Sequence, residues 1–269
     1  IGILGLGLVG SVVAERLRQR GYEVVGYDPM VSKLEGVEMK ADADAVFASC
    51  ETVVLCLPDG DVVRAVMDEM QSALREEHLI INTSTGDAET PHAQMIEATI
   101  GGSSAMLRDG CALLFLGGDS ALIDRAQPIL EALSSHRFHL GAFGAGAKFK
   151  LVHNMAIGLN RAVVAETLHF AQALGFDTKQ ALEILLQSPA SSMAMKAKGT
   201  KMVARDYEPP QARLSQHLKD VRLMLAAAQE ASMQVPLTEL HEKLLSLAES
   251  RGFGEVDNAA VIEAYRGKV

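Results

Sequence analysis

Lys150 and Asn154 stand four residues apart in Gly144-Ala145-Gly146-Ala147-Lys148-Phe149-Lys150-Leu151-Val152-His153-Asn154. On a helix that spacing puts both side chains on one face, so an amine and an amide could meet one small polar ligand. The amine can carry a proton, whereas the amide can only orient a partner. Alone, the pair reads more readily as a solvated lysine near a helix start. Further residues that could do chemistry lie elsewhere. Gly101-Gly102-Ser103 exposes backbone N–H groups beside a hydroxyl, which suits capture of a carboxylate. Lys219-Asp220 interrupts the apolar positions Leu214, Leu218, Val221 and Leu225, a pattern that a surface ion pair would also give.

The sharpest pattern is Gly5-Leu6-Gly7-Leu8-Val9-Gly10. It follows the short apolar run 1–4 and precedes an amphipathic stretch, and Asp28 ends the next strand-like segment, 22–28. A glycine loop between strand and helix, with an acid closing the second strand, is the dinucleotide-binding fingerprint. Gly5 allows the tight turn, Gly7 lets backbone approach a pyrophosphate, and Gly10 lets helix and strand pack closely. The helix N-terminus then offers N–H groups to the phosphates. Asp28 can accept from both ribose hydroxyls and repels a 2′-phosphate. With no Arg after it, NAD is favoured over NADP, and Lys33 is the residue that argues the other way.

These residues need a scaffold, and the alternation of patterns supplies one. Thr52 to Leu57 is a continuous apolar run, as a parallel strand buried on both faces requires. Asp59 can cap a helix over 62–74. A strand over 78–82 runs into Thr83-Ser84-Thr85-Gly86-Asp87, and further strands are expected over 111–116 and 137–140 around a helix over 120–133. Ligands of open parallel sheets lie beyond the strands' carboxyl ends. Leu57, Pro58, Ser84 and Thr85 fall there, where ordinary loop residues would fall too. From Ala145 onward strand signals vanish. A helix over 150–174 is apolar on most sides, which predicts burial on most sides and contact with another subunit. Further helices are expected over 179–186 (capped by Asp177 or Thr178), 192–204, 213–229, 236–248 and 258–264. The fold class is therefore an α/β Rossmann-type domain with a mostly parallel sheet, residues 1–144. An all-α domain built on a long central helix follows, residues 145–269.

Composition excludes several partners. A net charge of −9 without a basic block argues against nucleic acid and anionic membrane surfaces. No apolar run reaches the roughly 18 residues of a membrane span. Cys50, Cys56 and Cys111 are unclustered, so no metal site is expected, and Cys56 and Cys111 read as buried, reduced thiols of a cytoplasmic protein. The chain opens at Ile1 without an initiator Met, so residues are expected before it.

In the order of these motifs the chain resembles the β-hydroxyacid dehydrogenase family, which includes 3-hydroxyisobutyrate dehydrogenase and tartronate or succinic semialdehyde reductases. The glycine loop matches the family's dinucleotide loop. Glu97-Ala98-Thr99-Ile100-Gly101-Gly102-Ser103 is similar to its substrate motif Asp-Ala-Pro-Val-Ser-Gly-Gly. Gly144 to Asn154 resembles its Gly-x-Gly-x-x-x-Lys-x-x-Asn-Asn, and Lys219-Asp220 its C-terminal Lys-Asp element. The resemblance implies that Lys150 is the catalytic lysine and that Asn154 helps hold the substrate. It implies that Lys219 lies near cofactor and substrate, and that Thr85 lies near the nicotinamide. It implies hydride transfer between NAD and a small 3-hydroxy acid or aldehyde acid, in a homodimer or homotetramer. Burial and a nicotinamide cation both disfavour a charged amine, bringing a lysine toward use as a base.

Three departures touch the substrate end. Gly101 stands where the family has Ser and Ser103 where it has Gly, His153 replaces the first Asn, and 82–97 is short, leaving little room for a strand before the motif. An imine reductase on the same fold, which usually carries Asp or Tyr in place of Lys150, and a non-catalytic NAD-binding assembly protein are the alternatives.

Overall fold

The structure is a computed structural model that describes residues 1–85 and 94–266. Gly86 and Asp87 lie outside the described residues. The chain divides into two compact units, Ile1–Lys150 and Leu151–Val269.

In the first unit, strand β1 (Gly2–Leu4) leads into helix α1 (Gly10–Gln19), and β2 (Val25–Tyr27) and the two-residue β3 (Glu38–Met39) follow. Helix α2 (Ala43–Ser49), β4 (Thr52–Leu55), α3 (Gly60–Glu69) and β5 (Leu79–Asn82) complete the first half. Then come β6 (Met95–Gly101), the short α4 (Ser104–Arg108), β7 (Leu113–Gly117), α5 (Ser120–Leu133) and β8 (His136–His139). Among the described residues the eight strands form one sheet in the order β3-β2-β1-β4-β5-β6-β7-β8. Every pairing is parallel except β6 with β7. Neighbouring residues of one strand enter opposite cores. Ile3 and Ile81 pack with Val12, Val13 and Leu17 of α1, whereas Leu4 and Ile80 pack with Val46, Phe47 and Met67 of α2 and α3. Apolar runs without alternation follow from burial on both faces. Side-chain caps set the helix starts: Asp42 accepts from Ala45 N, Asp59 from Val62 N and Asp119 from Ala121 N.

Several details differ from the sequence reading. Strand β6 runs from Met95 to Gly101, so it begins two residues ahead of the motif's Glu97. Its pairing with β5 begins at Ile80 and Met95, which needs no earlier strand. Elements β3 and α2 had no counterpart in the expected pattern. Cys111 is exposed, because it precedes β7 instead of belonging to it, while Cys50 and Cys56 are half-buried.

The second unit is helical. Helix α6 (Ala145–Ala173) enters it, and α7 (Thr178–Leu186), α8 (Met193–Ala204), α9 (Leu214–Glu230) and α10 (Pro236–Ala248) follow. Asp177 is the cap of α7. Val164, Leu168, Met202, Leu218, Val221, Leu245, Val261 and Ile262 form the core. Helix α6 starts at Ala145, one turn before the predicted start. The compact units part after Lys150, and the first turn of α6 is bonded to β6. Within one chain, Val163 and Phe170 of α6 are 61% and 62% exposed.

Candidate active site

The glycine loop is built by close approach. Gly5 has φ +89°, and a Cβ on Gly10 would lie 1.8 Å from Gly5 O, so α1 starts against the loop. Around Gly7, by contrast, a Cβ would meet nothing within 4 Å. The loop thus offers open backbone at the N-terminus of α1, where Ser11 N turns back to Gly7 O at 3.0 Å. A pyrophosphate fits such a cradle. Asp28 ties the loop to the end of β2: its Oδ2 accepts Leu6 N at 2.7 Å and its Oδ1 accepts Met30 N at 2.8 Å. A carboxylate has about four acceptor sites, so capacity remains for ribose hydroxyls. Beside it lies a pocket of about 380 Å³ lined by Tyr27, Asp28, Met30, Ser32, Met39 and Lys40. Lys33 is exposed and absent from that lining; the lysine present is Lys40, paired with Glu38 at 2.7 Å. Sequence reading missed Lys40 because the fold, through β3, brings it back beside β2.

The carboxyl ends of β4 and β5 are stitched together. Ser84 Oγ accepts Leu57 N at 2.9 Å, Ser84 N donates to Asn82 Oδ1 at 3.0 Å, and Thr83 Oγ1 donates to Leu55 O at 2.8 Å. Pro58 is exposed and Thr85 half-buried in the same loops. Burial pushes the Cys56 thiol up to about 11, against the hydrogen bond from Thr83, so it is no nucleophile at neutral pH.

At the end of β6, a Cβ on Gly101 would lie 2.8 Å from the Phe115 ring, which explains a glycine where the family has Ser. Gly102 has φ +122°, and Ser103 Oγ caps α4 by accepting Met106 N at 3.2 Å. Lys150 is 8% exposed, and its amine donates to the Ile100 carbonyl. Glu97 Oε2 accepts Gly144 N at 2.7 Å and Gly146 N at 3.2 Å.

Helix α6 then carries Asn154 one turn beyond Lys150. In the second unit Asn154 Nδ2 donates to Asp220 Oδ2 at 3.0 Å, and His153 Nδ1 lies 3.3 Å from Asn154 Oδ1. Asp220 is buried, and Lys219 beside it is half-buried. Because a carboxylate only accepts, it fixes which end of the amide faces it. The pair is therefore more than a surface ion pair. Asp220 and Glu97 were visible inside motifs, yet nothing local marked them as partners of Asn154 and of α6. Deeper on the same helix, a Cβ on Gly158 would meet His217 Nε2 at 2.6 Å, and His217 and His241 join through Nε2 atoms 3.1 Å apart. Burial, with Arg161 adding to it, pushes His241 down to about 4. Among the described residues no cluster of three or more His, Cys, Asp or Glu could hold a metal, and no helix is long and apolar enough to cross a membrane.

A glycine-loop cradle at the switch of a doubly wound sheet defines a dinucleotide-binding protein. Residues 1–141 match the family model described as the NAD binding domain of 6-phosphogluconate dehydrogenase. Residues 144–265 match the NAD-binding model of NADP-dependent 3-hydroxyisobutyrate dehydrogenase. The chain belongs to the β-hydroxyacid dehydrogenase family. It is 29% identical over 284 aligned positions to glyoxylate/succinic semialdehyde reductase 1 of Arabidopsis thaliana, covering 99% of this chain and 98% of that one. Those positions outnumber the chain's 269 residues, so the relative carries residues that this chain lacks. It is 24% identical over 281 positions to 2-hydroxy-3-oxopropionate reductase of Escherichia coli, covering 98% and 96% of the two chains. The solved 3-hydroxyisobutyrate dehydrogenase of Mycobacterium tuberculosis with L-serine shares the fold at TM-score 0.86 and 24% identity, covering 99% and 98%.

Proposed function

We propose that this oxidoreductase moves a hydride between NAD and the alcohol carbon of a small 3-hydroxy acid, or reduces the matching semialdehyde or glyoxylate-type acid. The observation that carries the reading is a buried Lys150 amine on α6 with Asn154 one turn away. The nicotinamide, when bound, supplies the hydride acceptor or donor. In oxidation Lys150 Nζ takes the hydroxyl proton as the C–H hydride leaves, and in reduction it returns that proton. Asn154 orients the substrate by hydrogen bonding, with its amide held by Asp220. The backbone N–H groups around Gly101, Gly102 and Ser103 receive the carboxylate, and Lys219 adds positive charge near it. Gly5, Gly7, Gly10 and the backbone of Leu6, Leu8 and Val9 take the pyrophosphate, while Leu57, Pro58, Ser84 and Thr85 line the nicotinamide side. Asp28 supports NAD over NADP by accepting from the ribose. Residues 1–144 act as the cofactor domain and 145–269 as the substrate and assembly domain. The exposed Val163 and Phe170 support a homodimer or homotetramer, and three free cysteines agree with the cytoplasm.

The test is NADH and NADPH consumption with glyoxylate, succinic semialdehyde and a cyclic imine. Faster turnover of an aldehyde acid with NADH is expected. Turnover of the imine alone would replace the substrate class, and a clear preference for NADPH would overturn the Asp28 argument.

A further inference from the structure

Strand β6 lies between β5 and β7, where a charged side chain has no water to face. Glu97 is nevertheless there and 1% exposed. A buried carboxylate is costly unless its oxygens are bonded. The partners are specific. Glu97 Oε2 accepts the Gly144 and Gly146 N–H groups at 2.7 and 3.2 Å, at the N-terminus of the 29-residue α6. Those are groups that the helix cannot satisfy itself, at its positive end. Two residues on, and so on the same strand face, Thr99 Oγ1 donates to Gly146 O at 3.1 Å. The surroundings are bare to admit this. A Cβ on Gly117 would fall 2.4 Å from Glu97 Oε2, and one on Gly146 would fall 2.5 Å from Phe115 O. One turn after Gly146, the Lys150 amine returns to the same strand at Ile100 O. Strand β6 therefore grips the start of α6 from both a carboxylate and a hydroxyl, immediately before the lysine.

We propose that Glu97 and Thr99 are positioning residues that fix the depth and rotation of the first turn of α6 and thereby set where the Lys150 amine stands. They touch neither substrate nor cofactor and act through the helix. The inference rests on the proposed role of Lys150. A slide of α6 by one residue would move that amine about 1.5 Å along the axis and rotate it by a large angle, and misplacement on that scale is enough to cost about 100-fold in rate.

The experiment compares Glu97→Gln, Glu97→Asp and Thr99→Val with the full-length protein. Glu97→Gln and Thr99→Val should lower kcat for the aldehyde acid by about 10- to 100-fold, while NADH affinity, read by fluorescence titration, stays within about threefold of the parent protein. Glu97→Asp, which keeps the carboxylate, should recover most of the lost kcat. Amide hydrogen exchange of the peptide spanning Gly144 to Lys150 should speed up in Glu97→Gln and Thr99→Val, with the peptide spanning Gly2 to Gln19 unchanged. The exchange arm needs no turnover, so it judges the clamp even if no aldehyde acid is reduced, an outcome that would count against the proposed function instead. Unchanged exchange at the α6 start in a folded Thr99→Val protein would overturn the inference. So would a fall in kcat that merely tracks a loss of NADH-binding sites, with Glu97→Asp no better than Glu97→Gln.

Discussion

The two units treat buried polar groups differently. In the first, the polar side chains that matter find backbone partners: Asp28 with Leu6 and Met30, Glu97 with Gly144 and Gly146, Thr83 with Leu55. In the second, among the described residues, buried atoms without a hydrogen-bond partner include Arg161 Nη1, Ser191 Oγ, His241 Nδ1 and Asn258 Oδ1. The cause is architectural. Strand ends, loops and helix starts leave N–H and C=O groups unspent, whereas helix interiors satisfy their own backbone and offer nothing to a neighbour. A mixed α/β unit can thus fix the orientation of a polar residue cheaply. The helical one adds side-chain pairs such as Asn154 with Asp220, or Lys198 with Asp257 at 2.8 Å, and finds backbone partners only where helices end, as Asp257 does at Gln211 N and Ala259 N. Burial alone would raise the Asp257 carboxyl, but Lys198 and the N–H groups of Ala259 and Gln211 outweigh it and hold it below the usual carboxylate range.

The largest effect that would sharpen this contrast is expected at His241. The unfolded chain binds a proton there below about 6.5, but the folded protein resists it down to about 4, so stability falls as pH drops through that window. The loss from this group reaches on the order of 3 kcal/mol near pH 4. Chemical denaturation at pH 7 and pH 5 should show a smaller acid loss in His241→Leu than in the parent protein. An identical slope would contradict the assignment. A matched pair of serines gives the next effects. Ser134 Oγ donates to Ala112 O and accepts His136 N at 3.0 Å, so Ser134→Ala should cost about 1–3 kcal/mol. Ser191 Oγ is buried without a partner, so Ser191→Ala should be neutral or stabilising by up to about 1 kcal/mol. If the two melting curves shift down equally, the contrast between the units fails.

Legibility in the sequence followed the range of the forces involved. The glycine loop, Asp28 and the Lys150/Asn154 spacing obey local backbone geometry, and they could be read without the fold. Glu97 could not, since its partners lie 47 and 49 residues away and its motif resembled a substrate-binding one. Helix α2 is only seven residues long and β3 two, too short to show a period. For the long α6, periodicity reports which faces are apolar without saying what covers them.

The account turns on Lys150, and Lys150→Ala tests it most directly. Reduction of succinic semialdehyde or glyoxylate by NADH should fall by several orders of magnitude, with NADH affinity and melting temperature close to those of the parent protein. Turnover close to that of the parent protein would contradict the central claim.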